Sequence, residues 1–87
     1  MEFEFDLAKS AANRKKHGID FDEAKRLWED PDLLETPARV TDEPRVGVIG
    51  VIGPKHWSAF FTYRSGRVRL ISVRRAREEE VERYESQ

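Results

Sequence analysis

The spacing of apolar and polar residues changes period along the chain, and each change predicts a change of element. Phe3 and Phe5 alternate with Glu2, Glu4 and Asp6, as in a short half-buried strand. From Asp6 the period lengthens to that of a helix. Asp6 is a suitable cap, Ala8, Ala11 and Ala12 form a narrow apolar stripe, and Lys15, Lys16 and His17 fall in a last turn where positive charge suits the dipole. Gly18 ends this helix by accepting the left-handed conformation. A second helix follows at once. Asp20 caps it, Glu23 completes a capping box, Phe21, Ala24, Leu27 and Trp28 make its apolar face, and Asp30-Pro31 stops it.

Beyond Leu33 the pattern is that of strands. Leu33 and Leu34 lead into a short edge strand limited by Pro37, and Asp42 to Pro44 read as a turn. Arg45 to Ile52 are rich in β-branched residues, with Gly47 and Gly50 marking a bulge or a close approach. Gly53-Pro54 turns the chain. Trp57 to Tyr63 are apolar on both alternating faces, which predicts a central strand. Ser65-Gly66 makes a hairpin turn before a last strand, Arg67 to Val73. Glu78, Glu79 and Glu80 then favour the start of a C-terminal helix that turns Val81 and Tyr84 inward. The expected fold is α+β: an antiparallel sheet of three to four strands, plus a short N-terminal strand, with two N-terminal helices and a C-terminal helix.

Composition narrows the classes of function. The 87 residues suit a single domain, residues 1–87, with one modest core. The chain has no cysteine, which excludes disulfides, thiolate metal sites and cysteine nucleophiles and fits a cytoplasmic location. No apolar run approaches the roughly 20 residues that span a bilayer, and the stretch MEFEFDLAK is too acidic for a signal peptide, so no membrane partner is expected.

The net charge of −1 hides a strong asymmetry. No acid occurs from Lys55 to Arg77, a segment holding Lys55, His56, Arg64, Arg67, Arg69, Arg74, Arg75 and Arg77. The tail from Glu78 sets Glu78, Glu79, Glu80, Glu82 and Glu85 against Arg83 alone. Arginine's planar fork binds phosphate oxygens bidentately and keeps its charge. RNA scission by the 2′-hydroxyl gathers negative charge on the phosphoryl oxygens, so arginines fixed there stabilise the transition state. The plain alternative is a set of solvated sheet-face arginines, some paired with glutamates of the C-terminal helix, with Arg67 the first candidate for a structural role. His17 has the chemistry of a general acid or base, but a histidine before a C-cap glycine also satisfies helix carbonyls. His56 falls in a loop and reads as plain surface. The histidines show no metal-ligand spacing, and Asp20, Asp22 and Glu23 are explained as caps, so no metal or other cofactor is expected. Trp57, Phe60, Phe61 and Tyr63 suit base stacking but at strand spacing are more simply core, and Tyr84 fits either the core or a cover over the arginines.

The strings FEFDLAKSAANRKKHGIDFDEA, RVGVIGVI and TYRSGRVRLISVRRAREEEVERYE, with Asp30-Pro31 between the first two, resemble the BrnT family of type II toxins over nearly the whole chain. The resemblance implies a RelE-like fold, ribonuclease activity and arrest of translation. It also implies a BrnA-like antitoxin with a ribbon-helix-helix DNA-binding part, assembled two-plus-two with the toxin, so that DNA is met only through the antitoxin. Carried over by position, it points to Lys16 and His17 in KHG, Arg64 before the hairpin turn, and Arg74 and Arg75 in SVRRA. Val73 stands where the family usually has alanine. Together with the charge pattern this gives His17, Arg64, Arg74 and Arg75 as expected catalytic residues. Lys16, Lys55, Arg67, Arg69, Arg77 and Tyr84 are the expected RNA contacts, with RNA and possible ribosome partners. A non-catalytic RNA- or ribosome-binding module, and an interaction domain whose basic strip docks an acidic helix, are the alternatives.

Overall fold

The computed structural model describes residues 1–40 and 44–87. Its elements are β1 (Phe3–Glu4), α1 (Leu7–His17), α2 (Phe21–Ala24), continued by a 3-10 segment (Lys25–Glu29), then β2 (Leu34–Val40), β3 (Pro44–Ile52), β4 (Lys55–Arg64), β5 (Arg67–Arg75) and α3 (Glu78–Glu85). The strands form one sheet in the order β1-β5-β4-β3-β2. Pairs from β2 to β5 are antiparallel, whereas β1 lies parallel to β5, with Phe3 opposite Val68 and Glu4 opposite Arg69. The sheet is therefore mixed and five-stranded, not antiparallel throughout. A two-residue edge strand pairs where its side chains find partners. Phe3 meets Trp28 edge-on at 5.0 Å, and Glu2 and Glu4 fall beside Arg67 and Arg69.

Strand alternation divides the side chains between two faces. Val48, Trp57, Ala59, Phe61, Val68, Leu70 and Val73 point to one face, where they pack with Ile19, Phe21, Ala24 and Leu27 from the helical layer. The other face carries Ser58, Phe60, Thr62 and Arg64 of β4 beside Arg74, Ser72, Arg69 and Arg67 of β5. One extra residue, Ile71, sits between Ser72 and Leu70 where β5 bulges against β4. The expected turn over Asp42–Pro44 lies largely outside the described residues; Pro44 itself opens β3.

The caps form as expected. Asp6 accepts from the Lys9 amide, Gly18 closes α1 at φ +80°, and Asp20 and Glu23 make a capping box. The apolar stripe of α1 does not form. Ala8, Ala11 and Ala12 are exposed, and the buried positions are Ser10 and Asn13. This helix is attached by hydrogen bonds. The Ser10 hydroxyl accepts from the Phe21 amide at 2.9 Å. The Asn13 amide donates to the carbonyls of Ile19 and Val73 at 2.8 and 2.9 Å and accepts from the Val73 amide at 3.2 Å. Because β1 covers only the start of β5, Asn13 acts as a substitute strand on the exposed edge.

Asp30 does the same at the far side. β2 reaches only as far as Ile49, and beyond it Asp30 Oδ2 accepts from the Val51 amide at 2.9 Å. Gly50 and Gly47 are sites of close approach, not bulges. A Cβ on Gly50 would lie 2.7 Å from Leu33 Cδ1, and one on Gly47 would lie 2.9 Å from Thr36 Oγ1.

Candidate nucleic-acid interface

β4 and β5 carry most of the cationic side chains singled out above, and they separate them by both face and position. Arg64 and Arg67 are cross-strand partners at the hairpin turn, and Arg69 stands opposite Thr62. Arg74 lies at the other end of the same face, opposite Ser58. Six residue steps along β4, from Ser58 to Arg64, separate the two ends, about 20 Å at strand rise. Arg75 is on the helix-packed face, where its guanidinium lies 5.5 Å from the centre of the Trp57 ring. The arginines of the acid-free segment thus form two groups. Alternation in a strand sends neighbours to opposite faces, and extended backbone spreads residues faster than sequence distance suggests.

Three of the arginines are also paired. Arg67 approaches Glu2 at 3.6 Å and Arg69 approaches Glu4 at 3.5 Å. These contacts are long and at least partly exposed, the kind worth at most about 1 kcal/mol and open to replacement by a phosphate. Arg74 differs. Its guanidinium donates to both carboxylate oxygens of Glu80, at 2.7 and 3.0 Å, while lying 5.2 Å from the centre of the Phe60 ring. Burial pushes the Glu80 carboxyl upward, but hydrogen bonds from Arg74 and from the Arg77 amide outweigh it and hold its pKa down at about 2. No ion pair to Arg64, Arg75 or Arg77 occurs among the described residues. Arg64 and Arg67 face each other as like charges, an arrangement mildly unfavourable alone and favourable around a bridging anion.

The end of the sheet where β5 leaves gathers the largest set of functional groups. Lys55 opens β4 there, and the His56 carbonyl accepts from the Ala76 amide at 3.0 Å and from Arg75 Nε at 3.3 Å. α1 runs beside β5 in the same direction. Asp6 and Lys9 line a cavity of about 80 Å³ with Arg69, Leu70 and Ile71, and Asn13 brackets Val73. Continuing that course carries Lys16 and half-buried His17 toward the Arg75 end, along the β5 edge. His17 makes no hydrogen bond to a described residue.

α3 packs across the arginine-bearing face at this same end. Tyr84, 8% exposed, donates its hydroxyl to Asp30 at 2.7 Å. Burial and the adjacent Asp30 carboxylate both push the Tyr84 hydroxyl well above the ordinary tyrosine range. Burial pushes Asp30 upward, while hydrogen bonds from Tyr84 and from the Asp32 and Val51 amides prevail and hold it below the ordinary range. So engaged, Tyr84 has little ring surface left for an RNA base, and its expected role as an RNA contact gives way to that of a helix anchor. Trp57 and Phe61 are core, whereas Phe60 is half-buried on the arginine face.

His56 was expected to be plain surface in a loop. It is instead in β4, half-buried, edge-on to Tyr84 at 5.3 Å, with Nε2 at 2.7 Å from Glu85 Oε1. Its alternation with Ser58 and Phe60 is the one sequence signal that places it on the arginine face. Its pairing with Glu85, 29 residues away, leaves no local trace. Beside it a cleft of about 380 Å³ is lined by Asp32, Val51, Gly53, His56, Tyr84 and Glu85 among others. Among the described residues, no three His, Asp or Glu side chains converge as metal ligands would, and no helix is long and apolar enough to cross a membrane.

Comparison with curated proteins gives no significant match. A family model does match, over residues 5–80, which takes in α1, the whole β2–β5 meander and the start of α3. Its description is the ribonuclease toxin BrnT of type II toxin-antitoxin systems. The matched span contains the paired arginines of the hairpin, the KHG end of α1 and the Arg74–Glu80 contact, and the chain belongs to the BrnT family of ribonuclease toxins.

Proposed function

We propose that this chain is a metal-independent endoribonuclease of RelE-like fold that blocks translation in the cytoplasm. A BrnA-like ribbon-helix-helix antitoxin covers the same surface in a two-plus-two complex that alone meets DNA. The observation that carries the proposal is the sharing of one sheet face by Arg64, Arg67, Arg69 and Arg74, on the side away from α1 and α2. RNA lies along β4 and β5. Arg64 and Arg67 hold one phosphate at the hairpin, Arg69 exchanges Glu4 for a second, and Lys16, Lys55 and Arg77 steer the strand toward the far end. Phe60 offers a half-buried ring for a base.

Scission takes place where β5 leaves the sheet. The 2′-hydroxyl attacks its neighbouring phosphate, Arg74 on the face that RNA follows stabilises the charge that builds on the phosphoryl oxygens, Arg75 adds its charge from the opposite face at the strand end, and His17 is the imidazole that the motif supplies for proton transfer. These steps need cations and proton carriers, which side chains supply. Purified protein is expected to cut single-stranded RNA equally with and without chelator and to stop when the antitoxin is added. Arg64→Ala is expected to lose cleavage by roughly 100-fold or more, by analogy with loss of a transition-state donor, with an unchanged melting temperature. Intact RNA in the presence of folded wild-type protein overturns the assignment.

The close engagement of Arg74 by Glu80 favours one second reading, a non-catalytic RNA- or ribosome-binding module, because a neutralised arginine is a weaker oxyanion partner. Binding that falls steeply with salt, without cleavage, is its signature.

A further inference from the structure

We propose that His56, oriented by Glu85, is the proton-accepting group of the ribonuclease reaction. The proposal rests on the ribonuclease reading above and names a residue that the motif does not supply. Of the two histidines, His56 stands at the end of the sheet where β5 leaves it, and His17 ends the helix that runs beside β5. His17 has no hydrogen-bonded partner among the described residues to fix its ring. His56 is held at its backbone, at one ring edge and at Nε2. Its backbone carbonyl is held by Ala76 N and Arg75 Nε, its ring meets Tyr84 edge-on, and its Nε2 lies 2.7 Å from Glu85 Oε1.

The Glu85 carboxylate selects the tautomer. A carboxylate accepts only, so Nε2 carries the proton and Nδ1 is left with a free lone pair. A base held by a third group is the arrangement that proton transfer requires. Half-burial matters too: the His56 side chain is 22% exposed, enough to meet substrate while being held against α3.

The surrounding charges set where the phosphate can lie. From α3, Glu85 and the edge-on Tyr84 ring, whose hydroxyl is bonded to Asp30, pack against the imidazole; from the loop after the 3-10 segment come Asp30 and Asp32; from β5 come Arg75 and, on the same face as His56, Arg74; Lys55 precedes it in β4. Asp30 is occupied by Tyr84 and by the Val51 and Asp32 amides. The phosphate is therefore expected on the arginine side of His56, with the carboxylate-lined cleft left to the sugar and base. In the step itself, the 2′-hydroxyl proton passes to His56 Nδ1 as the 2′-oxygen bonds to phosphorus. The bond from phosphorus to the 5′-oxygen breaks, that oxygen takes a proton from solvent water, and the imidazolium later releases its proton to solvent. The product ends in a 2′,3′-cyclic phosphate.

The test uses the full-length toxin freed of antitoxin and a single-stranded RNA oligomer of mixed sequence. His56→Ala is expected to lower kcat by roughly 100-fold or more with KM and RNA affinity within about twofold of wild type. Added imidazole is expected to restore part of the rate. Glu85→Ala, a change at an exposed position, is expected to lower kcat by roughly tenfold and to alter the pH dependence of kcat without altering the melting temperature. If wild-type protein cuts RNA and His56→Ala cuts it equally well, the proposal fails and the ribonuclease reading stands. If the loss in His56→Ala is matched by a lost melting transition, and Glu85→Ala leaves both rate and pH profile unchanged, the pair only anchors α3. If wild-type protein does not cut RNA, both fall together.

Discussion

Replacing Arg74 by alanine is expected to destabilise the fold as well as to impair RNA cleavage, and the size of the loss follows from Glu80. With Arg74 present, the Glu80 carboxyl titrates at about 2 instead of an ordinary 4.5. At about 1.4 kcal/mol per tenfold change in proton affinity, the groups that favour the carboxylate contribute about 3 kcal/mol at neutral pH. Arg74 supplies two of the hydrogen bonds, at 2.7 and 3.0 Å, and the Arg77 amide a third. The Glu80 side chain is only 15% exposed, so Arg74→Ala strands a largely buried charge. We expect a loss of about 2 kcal/mol, somewhat below the range for a fully buried pair. For a domain of this size that is a fall of roughly 8–16 °C in melting temperature. The pH dependence has a definite sign. The folded-state pKa of Glu80 lies below its unfolded value, so its contribution is complete above about pH 4.5 and disappears as pH falls toward 2. Thermal melts of wild type and Arg74→Ala at pH 7, 5, 4 and 3 should show a gap that is constant from pH 7 to 5 and narrows below it. A variant melting within 2 °C of wild type at pH 7, or a gap unchanged at pH 3, would refute this account of the pair.

Three other substitutions probe the same architecture. Asn13→Ala removes the amide that donates to two carbonyls and accepts from Val73, and should cost about 2–4 kcal/mol by denaturant unfolding, since the groups it leaves are buried. Gly50→Ala would drive a methyl to 2.7 Å from Leu33 and 3.2 Å from both Leu27 and Asp30, with an expected cost of about 1–3 kcal/mol on the same assay. Tyr84→Phe deletes the 2.7 Å hydrogen bond to Asp30 and should cost about 1–2 kcal/mol. It should also let the Asp30 carboxyl titrate at higher pH, seen as a carboxylate resonance that shifts toward its ordinary range in an NMR titration.

Much of the fold was legible because local rules decided it. Asp6 and the Asp20–Glu23 box start their helices, and Gly18 ends one, where capping chemistry says they should. The doubly apolar run from Trp57 to Tyr63 became β4, with neighbours on both sides. What failed was the inference that a helix docks through apolar residues. α1 turns Ala8, Ala11 and Ala12 to solvent because its attachment is polar, and the buried Ser10 and Asn13 look like ordinary surface residues in the sequence. The site failed in a similar way. Each arginine was visible, but the carboxylates that meet Arg67, Arg69 and Arg74 come from Glu2, Glu4 and Glu80, brought in by β1 and α3. His56 has no partner near it in the sequence, and Glu85 arrives only when α3 folds back.

The same two polar side chains that finish the sheet also connect the fold to its surface chemistry. Asn13 closes the edge of β5 and so sets the direction in which α1 carries His17. Asp30 closes the edge of β3 and, through Tyr84, fastens α3. α3 in turn holds Arg74 with Glu80 and meets His56 with Glu85. On the proposed function, stability and RNA chemistry are therefore expected to be inseparable at Arg74, whose guanidinium is already engaged by Glu80, and separable at Arg64, which makes no ion pair to a described residue and stands at the opposite end of β4. A series of arginine substitutions should accordingly split into two groups: Arg74→Ala loses melting temperature along with activity, and Arg64→Ala loses activity alone. That split follows from which cations the fold has already paired, and the number of arginines in the sequence does not determine it.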